Sequence, residues 1–549
     1  MSTRSSSLRL GLATAALAGI ALAPLVVRAD AAVVNTYTAY KIDLKTGEPS
    51  IGFDPNAKAA MYGAGIHTKR LTWDAAGTMT QTAVDAPTAK ASLDAITFVD
   101  PATHRTFNSQ LAGACSLTSY SDDGGATWTP STGCGINTLL DHQSLGGGPY
   151  HAPLDAVPNP VYPHAVYYCA QNGFNATCAR SDNGGVTFGP GATISNGPGN
   201  NGTDPLGGSC SGLHGHLRVG ADGTVYVPLK GCGGTPSVNN LTNEEYVGGH
   251  PTLSVSEDNG ITYTLRTVAA GNNSDESDPS VATTPDNTVY FGWEDGVNPD
   301  DSHNGQTSSA RIAVSKDHGQ TWTKPVDLSA PLGLHNVQFP EVITGDNGRA
   351  AMAFLGTTGI GDDQTNAFVG VWHMYVSTTY DGGATWTTVD ATPNDPVQRG
   401  CIDMQGIAPG SPRVDVCSQR NLLDFNDITV DAQGRVLVAY ADGCIDACVT
   451  DPGKPSTASQ DMVIRQTGGR GLIAAFDGSL GGTTTSSGTQ PASPASPGSA
   501  AGPAAAAGPS LPNTSSSGGV ALGLLPLLVL GAGAGAARLL RRRRPAGLH

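Results

Sequence analysis

The chain is 549 residues long, with charged residues at only 14%, aromatic residues at 6% and 72 glycines. Its formal net charge is −16, and Arg4, Arg9, Arg28, Arg538 and Arg541–Arg544 all fall in the two termini, so the stretch between them is more acidic still. Such a surface repels phosphate backbones and excludes nucleic acid as a partner, while the turn-rich composition points to an all-β protein.

Residues 1–31 read as a secretory signal peptide. Arg4 and Arg9 supply the positive start, Leu10 to Val27 the apolar stretch, and Ala29-Asp30-Ala31 a small-residue cleavage site. Residues 32–93 follow no clear period. From there the chain repeats one short string: SDDGGATW (Ser121–Trp128), SDNGGVTF (Ser181–Phe188), SEDNGITY (Ser256–Tyr263), SKDHGQTW (Ser315–Trp322) and TYDGGATW (Thr379–Trp386). The position occupied by Asp123, Asn183, Asp258, Asp317 and Asp381 recurs in steps of 59 to 75 residues. Its side chain is placed to accept backbone N–H bonds two or three residues on, and the following glycine admits backbone angles closed to other residues. The aromatic ring is expected to fold back into the packing of the sheet.

These five strings resemble the Asp-box, or bacterial neuraminidase repeat, of secreted β-propellers, and the resemblance covers roughly residues 94–476. It implies four-stranded antiparallel blades around a central channel, which suits the repeat step. Each period also holds a turn followed by an apolar strand, as in DGTVYVPL (Asp222–Leu229), DNTVYFGW (Asp286–Trp293), NGRAAMAF (Asn347–Phe354) and QGRVLVAY (Gln433–Tyr440). A sixth module starts near Asp427, its box decayed to RQTGGRGL (Arg465–Leu472). Six blades are therefore expected. Residues 32–93 then either close the ring with a strand or add a degenerate seventh blade around RLTWDAAGTM (Arg70–Met79).

Residues 477–519 are almost all Gly, Ser, Thr, Pro and Ala, the composition of a flexible surface linker. Within it LPNTS (511–515) resembles a sortase sorting signal, with Ser515 where that pattern has Gly. Residues 520–537 form an uncharged apolar run long enough for a membrane helix, and the basic tail 538–549 should stay cytoplasmic. Sortase linkage to a cell wall and a plain membrane anchor are the alternatives. Either places the propeller outside the cell, and the sorting-like motif points to a Gram-positive bacterium. Ten cysteines in such a chain imply local disulfides, expected as Cys115–Cys134, Cys169–Cys178, Cys210–Cys232, Cys401–Cys417 and Cys444–Cys448.

Function in a propeller sits where the inner strands meet the channel. Residues placed near the starts of those strands are Asp94, Asp155, His214 or His216, Asp278, Glu341 and Asp427, an acidic ring with a histidine. They serve either as ligand groups or as side-chain caps on the strand starts. Resemblance to sialidases implies a Tyr nucleophile, a supporting Glu, an Asp acid/base and three arginines clamping a substrate carboxylate. The Arg-Ile-Pro motif of that family is absent; the nearest string is Arg311-Ile312-Ala313. Substitutes are Arg218, Arg399, Arg413 or Arg420 for the clamp, Asp155 for the acid/base, and Glu341 with Tyr375 or Tyr440 for the nucleophile.

No cofactor is expected beyond calcium at Asp300 and Asp301 in NPDDSHNG (Asn298–Gly305), a loop rich in hard oxygens. Trp293 and Trp372 either stack on sugars or fill blade cores. Three readings stand: a surface-displayed propeller binding extracellular glycan or protein ligands, an exo-glycosidase of sialidase type, and an adhesive wall protein without catalysis.

Overall fold

The computed structural model describes residues 34–478, apart from 89–94, 112–115, 133–141, 172–175, 196–209, 211–212, 234, 237–245, 248, 275–276, 297–307, 405–416 and 455. The leader, the linker with its sorting-like motif, the apolar run 520–537 and the tail lie outside the described residues, as do Asp94, Asp300, Asp301, Arg413 and the Cys115–Cys134 pair. Among the described residues no helix is long and apolar enough to cross a membrane.

The described strands form seven antiparallel blades, not six. Blade 1 is Ser50–Asp54, Ala59–Ala64, His67–Trp73 and Met79–Ala83, and blade 2 is Ala95–Val99, Thr106–Leu111, Ser116–Ser121 and Thr129–Pro130. Blade 3 comprises Gln143–Gly148, Ala165–Gln171, Ala176–Ser181 and Gly191–Thr193. Blade 4 comprises Arg218–Val219, Val225–Cys232, His250–Ser256 and Thr264–Thr267. Blade 5 uses Ser280–Thr283, Val289–Gly296, Ser308–Ser315 and Val326–Asp327, and blade 6 Asn336–Thr344, Ala350–Thr357, Val371–Thr379 and Thr387–Asp390. Blade 7 takes Asp427–Val430, Val436–Asp442 and Gln460–Gly468 from the end of the ring and Thr36–Lys41 from its beginning.

The expectation of six blades fails on residues 32–93, which do both jobs weighed for them. Thr36–Lys41 pairs with Gln460–Gly468 from Thr36↔Gly468 to Lys41↔Met462 and closes the ring. Ser50 to Ala83 builds a whole blade. Its box is hard to see because only the turn survives: Asp74 Oδ1 accepts the N–H of Ala76 at 2.9 Å and of Thr78 at 2.8 Å, four residues on. No Thr-aromatic pair follows it, so the repeat pattern passes it over.

The full boxes join the third and fourth strands of blades 2 to 6 by one geometry. Asp317 Oδ1 accepts the Thr321 N–H at 2.8 Å and Oδ2 accepts its hydroxyl at 2.6 Å. The Ser315 hydroxyl donates to Asp317 at 2.8 Å and accepts the Gly319 N–H at 2.8 Å. Asp123, Asp258 and Asp381 repeat these bonds, and Asn183 substitutes by donating its amide to Thr187 Oγ1 at 2.8 Å. The reach is four residues rather than two or three. Gly319, at φ 87°, turns the chain back so that the Trp322 indole caps the carbonyl of Gly319 at 3.0 Å. Asp317→Ala should cost about 1–2 kcal/mol, read as a lower urea midpoint, whereas Asp317→Asn should be nearly neutral because blade 3 already uses Asn183. Equal losses in the two variants would contradict this role.

Apolar side chains fill the seams between adjacent blades rather than one central core. Trp293, Phe291, Val255 and Tyr226 pack blades 4 and 5 together, and Phe354, Val342, Tyr290 and Val314 join blades 5 and 6. Trp293 and Trp372 are fully buried, which rules them out as stacking platforms. Bonds join Cys169 to Cys178, Cys210 to Cys232, Cys401 to Cys417 and Cys444 to Cys448, the local pairing expected.

One buried acid opposes its surroundings. Asp442, 3% exposed, is pushed up to about 8 by burial, against the Cys444 N–H that it accepts and with Asp395 adding to the rise. A folded pKa above the unfolded value near 3.9 means the stabilising contribution is complete below that value and is lost as pH climbs through about 8. Asp442→Asn keeps an acceptor for Cys444 and removes the ionisation. It should match the wild type in Tm at pH 3.5 and exceed it progressively as pH rises, by several degrees at pH 8.5. A constant difference across that range would show that Asp442 does not titrate in it.

Candidate functional site

The inner strands share a register set by bonds between neighbouring blades. The Ile51 N–H donates to Asp427 Oδ2 at 2.8 Å, that of Thr97 to Ser50 Oγ at 2.8 Å, that of Leu217 to Ser144 Oγ at 2.7 Å and that of Val342 to Ser280 Oγ at 2.9 Å. In each case a polar side chain near the start of one inner strand accepts the N–H of the second residue of the next blade's matching stretch. Following that register around the ring places Ser50, Ile96, Ser144, His216, Ser280, Glu341 and Asp427 at equivalent positions in blades 1 to 7. Serine is enough for stapling. Three blades carry chemistry instead.

His216, Glu341 and Asp427 are buried at 8%, 3% and 5% exposure, with one donor atom of each within 4.8 Å of the others. His216 Nδ1 faces Asp427 Oδ1 at 3.6 Å and Glu341 Oε1 at 3.9 Å, and Arg218 Nη2 lies 3.8 Å from the same Asp427 oxygen. The far carboxylate oxygens are anchored: Glu341 Oε2 accepts the Ser280 hydroxyl at 2.8 Å and Asp427 Oδ2 the Ile51 N–H. The Phe425 ring meets the His216 imidazole edge-on at 5.2 Å and fixes its plane. Burial pushes Glu341 up to about 7, against the pull of His216 and Arg218 and with Asp427 adding to the rise. Burial alone would depress His216, but the two carboxylates outweigh it and raise its pKa above the usual value.

Two residues before these positions, ahead of the strands themselves, come Glu48, His142, His214 and Asp278. His142 Nδ1 pairs with Asp278 Oδ2 at 3.0 Å. Burial would raise Asp278, but His142, Lys230 and His214 hold it below the usual carboxylate range. Burial pulls His214 down to about 4, so it is neutral, and its Nε2 has no hydrogen-bond partner among the described residues.

From this cluster a cavity of about 290 Å³ runs along the channel, lined by inner-strand residues of all seven blades. Its charged lining is His216, Arg218 and Asp427; Phe53, Phe98, Thr97 and Thr429 contribute apolar faces and hydroxyls.

Of the residues singled out in the sequence, His216, Arg218, Glu341 and Asp427 converge, and Asp278 pairs instead with His142. Asp155 does not. It lies exposed in the single turn Leu154–Ala156, because the inner strand of blade 3 is the earlier Gln143–Gly148. That strand ends in three glycines because its neighbour is close: a Cβ at Gly146 would come within 2.6 Å of Leu217 and one at Gly148 within 2.8 Å of Val219. Tyr375 is also misplaced as a nucleophile. It belongs to the third strand of blade 6 and stacks on Phe354 with centroids 6.0 Å apart, in the seam with blade 5. Tyr440 is buried in the second strand of blade 7. Arg399 donates to the carbonyls of Cys448 and Val449, and Arg420 pairs through both nitrogens with Asp424, so neither joins Arg218. His142, unremarked as a site residue, is the partner of Asp278; its position two before a Ser-Leu inner-strand start was the available signal.

The BNR/Asp-box repeat family model matches residues 119–130, the first box. The chain is a seven-bladed β-propeller carrying Asp-box repeats. No curated protein matches its sequence. Among solved structures it is similar to a streptogramin B lyase, at 8% identity and TM-score 0.39 over 79% of this chain and 98% of that one. It is similar to the Niastella koreensis GH74 enzyme at 16% identity and TM-score 0.41, covering 77% of this chain and 55% of that one. It is also similar to the Hadza microbial sialidase Hz136 at 14% identity and TM-score 0.32, covering 76% and 65%. The blade count rests on the sheet order of the chain itself.

Proposed function

We propose that the protein is an exported, surface-displayed propeller that binds an extracellular glycan in its central channel. The signal-like leader, the Gly/Ser/Pro/Ala linker and the apolar run before a basic tail support the location. The convergence of His216, Arg218, Glu341 and Asp427 at one end of the cavity supports the binding reading. The cavity volume suits one sugar ring, whose hydroxyls find charged and threonine partners and whose apolar face finds Phe53 and Phe98. Screening the full chain against a panel of immobilised glycans should give saturable binding weakened at least about tenfold by Glu341→Gln. Binding unchanged in that variant would refute the site.

A second reading is favoured by the Glu341–Asp427 pair, since two close carboxylates are what glycoside hydrolysis uses for its acid and its nucleophile or base. Only one arginine of the described residues reaches the cluster, against the three a sialic acid carboxylate clamp employs. Fluorogenic glycosides, a sialoside among them, separate the readings: turnover abolished in both Glu341→Gln and Asp427→Ser makes the propeller an enzyme.

A further inference from the structure

The geometry points to a divalent transition-metal site formed by His216 Nδ1, Glu341 Oε1 and Asp427 Oδ1, at the charged end of the channel cavity. These three atoms face one another; the opposite oxygens of both carboxylates are tied to Ser280 and Ile51, and Asp427 Oδ1 also accepts the Ile428 N–H at 2.8 Å, which leaves it a second lone pair. That is the arrangement of ligands oriented by an outer layer of hydrogen bonds. At 3.6 and 3.9 Å the imidazole nitrogen is too far from either oxygen for a good hydrogen bond. A cation bonded at about 2.0–2.2 Å separates its ligands by about 3–3.5 Å, so the His216 contacts at 3.6 and 3.9 Å need to close slightly and the two carboxylate oxygens, within 4.8 Å of each other, must draw in to the same separation.

Charge argues the same way. Both buried carboxylates face the imidazole of His216, with Arg218 beside Asp427; a cation bound in place of the imidazole proton keeps the two carboxylates balanced. One imidazole with two carboxylates suits Zn²⁺ or Mn²⁺ better than Ca²⁺, which prefers oxygen alone. Three protein ligands leave coordination positions on the cavity side, where vicinal sugar hydroxyls would bind. The use of the cation rests on the channel-binding reading; its presence does not.

The test is calorimetric titration of the EDTA-treated full chain with Zn²⁺, Mn²⁺ and Ca²⁺, in the absence of any glycan. One Zn²⁺ or Mn²⁺ should bind per chain, with affinity reduced at least about tenfold in Glu341→Gln and in Asp427→Ser, and with Ca²⁺ far weaker. In the Mn²⁺ complex, a nitrogen coupling in pulsed electron paramagnetic resonance should disappear in His216→Gln. Absence of transition-metal binding, or binding undiminished in both carboxylate variants when circular dichroism shows them folded, overturns the site. Glycan binding that persists in EDTA overturns the cation's role and leaves the channel reading standing.

Discussion

Asp427→Ala should lower folding stability by about 2–3 kcal/mol and abolish ligand binding, while Asp427→Ser should abolish binding at a cost of under about 1 kcal/mol. The difference follows from the two tasks of this side chain. Its Oδ2 accepts the Ile51 N–H across the junction between the last blade and the first, and its Oδ1 faces His216 and Arg218. Alanine leaves the buried Ile51 N–H without a partner. Serine restores the staple in the form used at Ser50, Ser144 and Ser280 but supplies no carboxylate. Urea midpoints and a binding assay on the two proteins read both tasks. If serine proves as destabilising as alanine, the ring of equivalent positions is wrong.

Deleting Thr36–Lys41 should have a larger effect still, abolishing cooperative unfolding. The six residues are the outer strand of blade 7, and their loss exposes the edge of Gln460–Gly468. The Asn35 side chain also ties the ring, accepting the Arg470 N–H at 3.0 Å and donating to the Tyr380 hydroxyl at 2.8 Å. A loss of several hydrogen bonds and the packing of Tyr37 and Tyr40 is comparable to the whole stability of a domain, about 5–15 kcal/mol. Calorimetry of the truncated chain should show no sharp transition. A sharp transition within a few degrees of the intact chain would mean that the ring does not depend on this closure.

The boxes were legible because their chemistry is local: a side chain binding a backbone four residues on leaves a fixed string. Blade 1 kept only the Asp74 turn, and the closing strand leaves no string, since its partner is more than 400 residues away. The candidate site was half legible for the same reason. His216-Leu217-Arg218-Val219, Glu341-Val342-Ile343-Thr344 and Asp427-Ile428-Thr429-Val430 share a pattern with Ser50-Ile51-Gly52-Phe53 and Ser280-Val281-Ala282-Thr283, a polar residue before a short apolar inner strand. Only the staples between blades show that these positions are equivalent, and those bonds join residues 47 to 376 apart. Asp155 was misread because a glycine run does not look like a strand, although only glycine fits so close to Leu217 and Val219.

The most direct measurement is a crystal structure of the protein soaked with the best-binding glycan from the panel. Difference density in the channel cavity, in contact with Arg218 and beside His216 and Asp427, is the predicted result. Density confined to the outer edges of the blades, with the channel unchanged, would contradict it.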